Sequence, residues 1–415
     1  MSSETQTSHS PAIDSRRLLG DLNALARIGA TAAGGVSRPA YSDADIAARG
    51  TVRDLMSDAG LEVRVDAGGN TFGSMRGRTD APPIVIGSHT DTVPDGGRYD
   101  GALGVLAAIE VARTLRERGE TLTHPLEVVD FQNEEGGLIG SKIVSGRFAA
   151  DALSLVATSG RTIGDGIRRL GGDAEHLERA VRRPGSVAAY VELHIEQGMI
   201  IERAGAQIGV VEGLVAIRYW DVTFEGVASH AGTTAMTDRR DALLAAARFV
   251  DAVNTVVTST PGRHVGTVGK LAVFPGGANV IPGKVVLTLE LRDQFEEVIE
   301  SLFERIEREA KRVANGTGTR VTMLPTLRNA PSPTDPRVRE AVAHAADALG
   351  LRTHAMVSGA GHDAQNMAVI GPAGMVFVPS VNGISHSPAE QTEDQDVING
   401  ANVLLGAVLR LDATL

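Results

Sequence analysis

Three short runs rich in Val, Ile and Leu mark the first third of the chain: Leu61 to Val65, Ile84 to Gly87 and Leu126 to Phe131. Each gives way to glycine or polar residues, the pattern of buried strands in an α/β sheet. Between the last two, GALGVLAAIEVARTLRERG has the length of a long helix, opening at Gly101 and Ala102 and stopped by Gly119. Strand, helix and strand in that order predict parallel pairing through a right-handed crossover.

From about Ala216 the rhythm changes. A strand (IRYWDVTFEG), a helix (RRDALLAAARFVDAVNTV), two strands (HVGTVGKLAVF and KVVLTLELRD), a helix (FEEVIESLFERIEREAKRVANG) and a strand (RVTMLPTL) follow in turn. That β-α-β-β-α-β order is the split-βαβ, ferredoxin-like unit. After Pro331 the α/β pattern resumes with a helical DPRVREAVAHAADALG and a strand-like GMVFVPS. The fold class is therefore α/β: a discontinuous main domain, residues 1–213 and 328–415, with a central, mostly parallel sheet, and an inserted domain at 214–327. At 415 residues the chain exceeds what one core usually holds, which agrees with this division.

Composition removes several classes of function. Apolar residues make up 42% and charged residues 22%, as in ordinary globular proteins. With 51 acidic against 40 basic residues the net charge is −11, which argues against nucleic acid or an anionic membrane as partner and requires a local cationic anchor for any anionic substrate. There is no cysteine, so disulfides and thiolate ligation are excluded and any metal must be held by His and carboxylates. The first dozen residues, MSSETQTSHSPA, read as a polar tail entering the amphipathic LLGDLNALARIG, and no run of about 18 apolar residues suggests a membrane span. A cytoplasmic enzyme is expected.

The residues able to do chemistry gather where strands end. Ile84–Gly87 runs into Ser88-His89-Thr90-Asp91-Thr92, the helix is preceded by Gly97-Arg98-Tyr99-Asp100-Gly101, and the next strand runs into Asn133-Glu134-Glu135-Gly136. Ligands collect at the carboxyl ends of strands in open α/β sheets, so His89, Asp100, Glu134 and Glu135 can converge despite their separation. His194 in VELHIEQG and His386 in NGISHSPAE complete a His/carboxylate set without sulfur, suited to Zn²⁺ or Mn²⁺. A single His such as His194 is more often structural, and a Glu-Glu pair more often a solvated surface; their joint placement at strand ends reverses that reading.

The order HTDT, YDGALGV, NEEG, ELHIEQG, SHAGTT, SHSPAE resembles the M20 metallopeptidase-like amidases, in the branch of N-carbamoyl-L-amino acid hydrolases, allantoate amidohydrolases and β-ureidopropionases, from about residue 15 onward. The resemblance implies a di-metal, aminopeptidase-like catalytic domain, an inserted dimerisation and lid domain, and a homodimer. It implies two divalent ions, Zn²⁺ or Mn²⁺ with Co²⁺ or Ni²⁺ also possible. His89 would bind one ion, Asp100 would bridge both, Glu135 and His386 would bind the second, and His194 would complete the first. Asp91 fits the carboxylate that fixes a ligating imidazole's tautomer. Glu134 would be the general base, taking the proton of a water shared by the ions and returning it to the leaving nitrogen.

The same resemblance assigns His230, Asn279 and Arg292 to the substrate, reaching it from the lid of a partner subunit. Arg292 would pair with a substrate carboxylate, and His230 and Asn279 would stabilise the carbonyl oxygen as it gains charge. Gln197, Arg218, Gly359 and Gly361 are further substrate-binding positions, the glycines allowing close backbone approach. Unlike many relatives, the chain reads EEGGLIGSKIVSG after the Glu pair, a shortened loop, and Ala216-Ile217-Arg218-Tyr219 at entry to the insert, where Tyr219 replaces a cationic residue used for allantoate. The expected reaction is cleavage of a linear C–N bond in an N-carbamoyl-L-amino acid or related ureido acid bearing a carboxylate. Allantoate hydrolysis and an aminoacylase or dipeptidase activity are the alternatives. A non-catalytic scaffold would have lost a ligand or the base, and all are present.

Overall fold

The computed structural model describes residues 12–415, and the expected polar tail lies outside them but for Ala12. The chain divides into two compact units. The first runs through Glu212 and takes up again at Pro333–Ser358 and His362–Leu415; the second is Gly213–Ser332 with Gly359–Gly361. The second unit thus closes later than the expected residue 327, because its last strand runs on to Asn329. It also gains three residues from the C-terminal segment, which the sequence pattern did not suggest.

The first unit opens with strands β1 (Glu62–Val65), β2 (Thr71–Met75), β3 (Ile84–His89), β4 (Leu126–Phe131), β5 (Ala189–Ile195) and β6 (Ile208–Leu214). The insert holds β7 (Ala216–Glu225), β8 (Ser229–His230), β9 (Val265–Phe274), β10 (Val280–Ile281), β11 (Lys284–Asp293) and β12 (Arg320–Asn329). β13 (Ser332–Pro333), β14 (Thr353–Ser358) and β15 (Ala373–Val378) follow.

The main sheet has the order β1-β2-β4-β3-β5-β15-β6-β13. Its four central strands, β4, β3, β5 and β15, run parallel and are buried along their length. The expected parallel pair of β3 and β4 forms around the helix Ala102–Glu117, which is buried from Ala102 to Leu115. Gly87 lets the two strands approach: its φ is +148° and a Cβ there would lie 2.0 Å from the carbonyl oxygen of Val129. The run at Leu61 to Val65 is not a buried strand. β1 alternates exposed and half-buried residues at the sheet edge, antiparallel to β2, whose sequence TFGSM has no apolar run to betray it.

In the insert the long strands take the order β12-β7-β11-β9, all antiparallel, which is the ferredoxin-like arrangement. Helices Ala242–Ser259 and Glu296–Thr317 pack on one face over Trp220, Val222, Phe224, Leu287, Leu289 and Leu291, with Trp220 stacked on Phe303 at 4.3 Å. The helix Ala242–Ser259 is long and apolar enough by composition to cross a membrane. Its Ala245, Ala246, Phe249, Val253 and Val256, however, form part of this core.

Candidate metal centre and substrate-binding group

The carboxyl ends of the central parallel strands carry the chemistry, as open α/β sheets favour. His89 is the last residue of β3, His194 the penultimate residue of β5, Glu134 and Glu135 follow β4, and His386 follows β15 on a loop. Asp100 precedes the buried helix. Five of these side chains form two groups of ligand atoms that share Asp100: His89, Asp100 and His194 in one, and Asp100, Glu135 and His386 in the other, each with atoms within 4.8 Å of one another. Asp100 Oδ1 lies 3.5 Å from His89 Nε2 and 3.2 Å from His194 Nε2, while Oδ2 lies 3.3 Å from His386 Nε2. Glu135 Oε1 is 3.4 Å from His386 Nε2, and Glu134 Oε2 is 3.7 Å from His89 Nε2.

Backbone contacts set the imidazole tautomers. His89 Nδ1 is 3.0 Å from the main-chain oxygen of Asp91 and His194 Nδ1 is 2.9 Å from that of Ile195. A carbonyl only accepts, so each ring carries a hydrogen on Nδ1 and turns Nε2 toward Asp100, the His194 Nε2 also accepting the Gly101 N–H at 3.1 Å. The carboxylate of Asp91 therefore does not do what was expected of it. It stands 3.9 Å from His89 Nδ1 and instead accepts the N–H groups of Glu134 (3.2 Å) and Glu135 (3.3 Å). The backbone oxygen already holds the ring, and the carboxylate fixes the Glu-Glu turn.

The electrostatics of the centre suit a cation. Burial pushes the Glu134 carboxyl well above the ordinary range, and Glu135, Asp363 and Asp100 add to it. Burial and Asp100 push Glu135 up to about 7. Hydrogen bonding to Asp100 raises His386 to about 9, and against the cost of burial Glu134, Asp100 and Asp91 raise His89. Glu135 Oε1 is moreover buried without a hydrogen-bond donor. Crowded carboxylates, imidazole nitrogens gathered about a shared Asp and a buried carboxylate oxygen without a donor are what divalent ions would relieve, so the residues fit such ions.

Two carboxylates that sequence reasoning passed over support the centre. Glu390 takes the N–H groups of Tyr99 (2.9 Å) and Asp100 (3.1 Å) on Oε1 and the Ser385 hydroxyl on Oε2 (2.8 Å), so it aims Asp100; the motif SHSPAE contains it, four residues after His386. Glu192, His194 and His362 also stand close enough to hold an ion. Glu192, however, already accepts from Ser88 Oγ (2.7 Å), Tyr190 Oη (3.1 Å) and the Ala364 N–H (3.1 Å), so it is satisfied by the protein. Its signal was an acid inside a buried strand. Gln197, in the left-handed region with φ +61°, donates from Nε2 to Asp100 Oδ2 at 2.7 Å.

The remaining residues lie in the inserted unit. β8 pairs with β10, which sets His230 opposite Val280 beside Asn279, whose main-chain oxygen accepts the Ala231 N–H. The His230 Nδ1 accepts the N–H groups of Gly232 (3.0 Å) and Thr233 (3.2 Å), so the hydrogen is on Nε2 and the exposed ring offers a donor. Arg292 is held by Glu290 through Nε (2.6 Å) and Nη2 (3.3 Å), and donates from Nη1 to the Gly359 oxygen (2.7 Å). Tyr219 also hydrogen-bonds this guanidinium, a planar cation of the kind that pairs with carboxylates. Gly361 belongs to the same unit. Arg218 does not join Arg292: it lies on the helix-covered face with Trp220, 3.0 Å from Glu296 and 3.3 Å from Glu300. Because side chains alternate along a strand, Tyr219, opposite Glu290, occupies the open face instead.

Comparison with known proteins places this geometry. The model of the peptidase family M20/M25/M40 matches residues 85–410. An N-carbamoyl-L-amino acid amidohydrolase of Geobacillus stearothermophilus is 40% identical over 405 residues, 96% of this chain and 99% of that protein. An allantoate amidohydrolase of Bacillus subtilis is 37% identical over 395 residues, covering 93% and 95%. Among solved structures, an amidase of the hydantoinase/carbamoylase family from Burkholderia multivorans superposes with a TM-score of 0.88 at 40% identity, covering 97% of this chain and 99% of that one.

Proposed function

Since this chain belongs to the peptidase family M20/M25/M40, a family of metal-dependent hydrolases, we propose that it cleaves the linear C–N bond of an N-carbamoyl-L-amino acid or a related ureido acid. The observation that carries this reading is the pair of ligand groups joined through Asp100 with Glu134 beside them.

His89, Asp100 and His194 would hold one divalent ion and Asp100, Glu135 and His386 the other, Zn²⁺ or Mn²⁺ suiting the donors. When bound, the ions supply Lewis acidity that lowers the pKa of a water and polarises the carbonyl. Glu134 takes the proton of the attacking water and delivers it to the departing nitrogen. Asp91 keeps Glu134 and Glu135 in place through their N–H groups. Arg292, steadied by Glu290, takes the substrate carboxylate, and His230 and Asn279 donate to the carbonyl oxygen as charge develops on it. Gln197 and the backbone at Gly359 and Gly361 contact the substrate.

The enzyme works as a homodimer, and the free edge of β9 with exposed Val265, Leu271 and Phe274 is the surface that a second copy covers.

Ammonia and free amine are measured in parallel on metal-stripped protein, with and without Mn²⁺, Co²⁺ or Zn²⁺, across N-carbamoyl-L-amino acids, β-ureidopropionate, allantoate and N-acetyl-amino acids. Metal-dependent turnover of carbamoyl compounds supports the reading. Turnover of allantoate alone, or of acetyl-amino acids alone, replaces it with the corresponding alternative.

A further inference from the structure

Arg49 lies in the helix Asp43–Asp58, whose buried face reads Asp45, Ala48, Arg49, Val52 and Met56. An apolar stripe that carries a fully buried guanidinium needs every donor matched, since an unpaired buried charge is costly. Arg49 Nε donates to Asp45 Oδ1 at 3.0 Å. Nη1 reaches the main-chain oxygen of Asp130 (3.2 Å) and its carboxylate (3.1 Å), and Nη2 donates to the main-chain oxygen of Phe131 at 2.6 Å and stands 3.7 Å from Asp91 Oδ1.

These partners are not scattered. Asp130 and Phe131 are the last residues of β4, directly before the Glu-Glu turn, and Asp91 is the residue whose carboxylate accepts both N–H groups of that turn. The turn needs such support, because Asn133 sits in the left-handed region with φ +52°. On its other side Tyr41 donates to Gln132 Oε1 (2.6 Å) and receives Asn133 Nδ2 (3.1 Å), and the Tyr41 N–H is itself held by Asp45 Oδ2 (2.7 Å). One guanidinium thus ties together the end of β4, the loop after β3 and the Tyr41 clamp.

We propose that Arg49 is a positioning residue for catalysis: through the β4 carbonyls and Asp91 it sets where the carboxylates of Glu134 and Glu135 stand. The inference rests on the roles given above to those two residues. A merely stabilising ion pair is the alternative, and the chain supplies its own control. Arg113 forms a less deeply buried pair with Asp21 (2.6 Å) and Glu110 (3.5 Å), neither of them a residue of the site.

The test compares Arg49→Met, Arg49→Lys, Arg113→Met and Glu135→Ala by calorimetric titration of the metal-stripped proteins with Zn²⁺ or Mn²⁺ and by steady-state kinetics. Arg49→Met is expected to bind the first ion normally, to bind the second about 10-fold or more weakly, and to lose about 10-fold or more in kcat at unchanged KM, as loss of an outer support does. Arg49→Lys should recover part of both losses. Arg113→Met should lower thermal stability alone. Unchanged second-ion affinity and kcat in Arg49→Met overturn the inference, as do the same losses in Arg113→Met. If Arg49→Met does not fold, Arg49→Lys decides: reduced second-ion affinity supports the inference and wild-type affinity overturns it. Undiminished binding of two ions by Glu135→Ala would show instead that the ligand assignment has failed.

Discussion

Gly101 stands between the shared Asp100 and the buried helix, and its φ of +63° aims the missing Cβ at His89, 2.4 Å from Cε1 and 2.5 Å from both ring nitrogens. Gly101→Ala must therefore push the imidazole out of line. Affinity for the first ion should fall about 10–100-fold in a metal titration while the protein stays folded, the size of loss seen when a ligand's support is removed. Glu134→Gln makes the complementary prediction: it keeps the shape and both ions but removes the proton acceptor. Its kcat should fall about 10²–10⁴-fold with metal content unchanged by elemental analysis. At this scale the sequence was most informative about residues whose chemistry is carried by short motifs, such as His89, Asp100, Glu135, His194 and His386, which the structure gathers. It was least informative where two groups on one residue compete. The Asp91 oxygen that holds His89 belongs to the backbone, and Arg218 faces the helices because alternation along β7 leaves Tyr219 on the open side.

Elements were legible in proportion to their apolar content. β3, β4 and the helix between them announce themselves, and so does the six-element insert, because long Val- and Leu-rich strands and amphipathic helices leave strong periodicities. β2 does not, since TFGSM is buried by its neighbours and not by its own hydrophobicity, and β1 was misread as interior because it is apolar on one side only. Arg49 escaped for a related reason: a charge on the buried face of a helix looks like a break in the stripe until its partners are known. Element pairing also yields a prediction. A Cβ at position 87 would drive β3 from β4 at the point where the two strands are about to deliver His89 and Glu134. Gly87→Ala should cost about 3 kcal/mol or more in denaturant unfolding, the upper range for forced overpacking, and any folded fraction should bind both ions poorly.

At the scale of the whole molecule the insert presents β9 as a strand edge on which exposed Leu271 and Phe274 flank a short stretch beside Lys270. Leu271→Asp together with Phe274→Asp should convert a dimer to a monomer in light scattering, raising the dissociation constant about 30-fold or more if these side chains contribute the roughly 2 kcal/mol of a central anchor. The seating of β15 between β5 and β6 has a different kind of consequence. Two strands neighbouring in sequence stay apart until a strand made far later in synthesis slides between them. While the ribosome is still working, the insert can assemble from contacts among its own strands and helices, but the main sheet remains open, with two unfilled edges that invite wrong partners. The closing strand and His386 both follow the insert in the order of synthesis, so a chain halted before them lacks a finished sheet and the ligand group of Asp100, Glu135 and His386 alike.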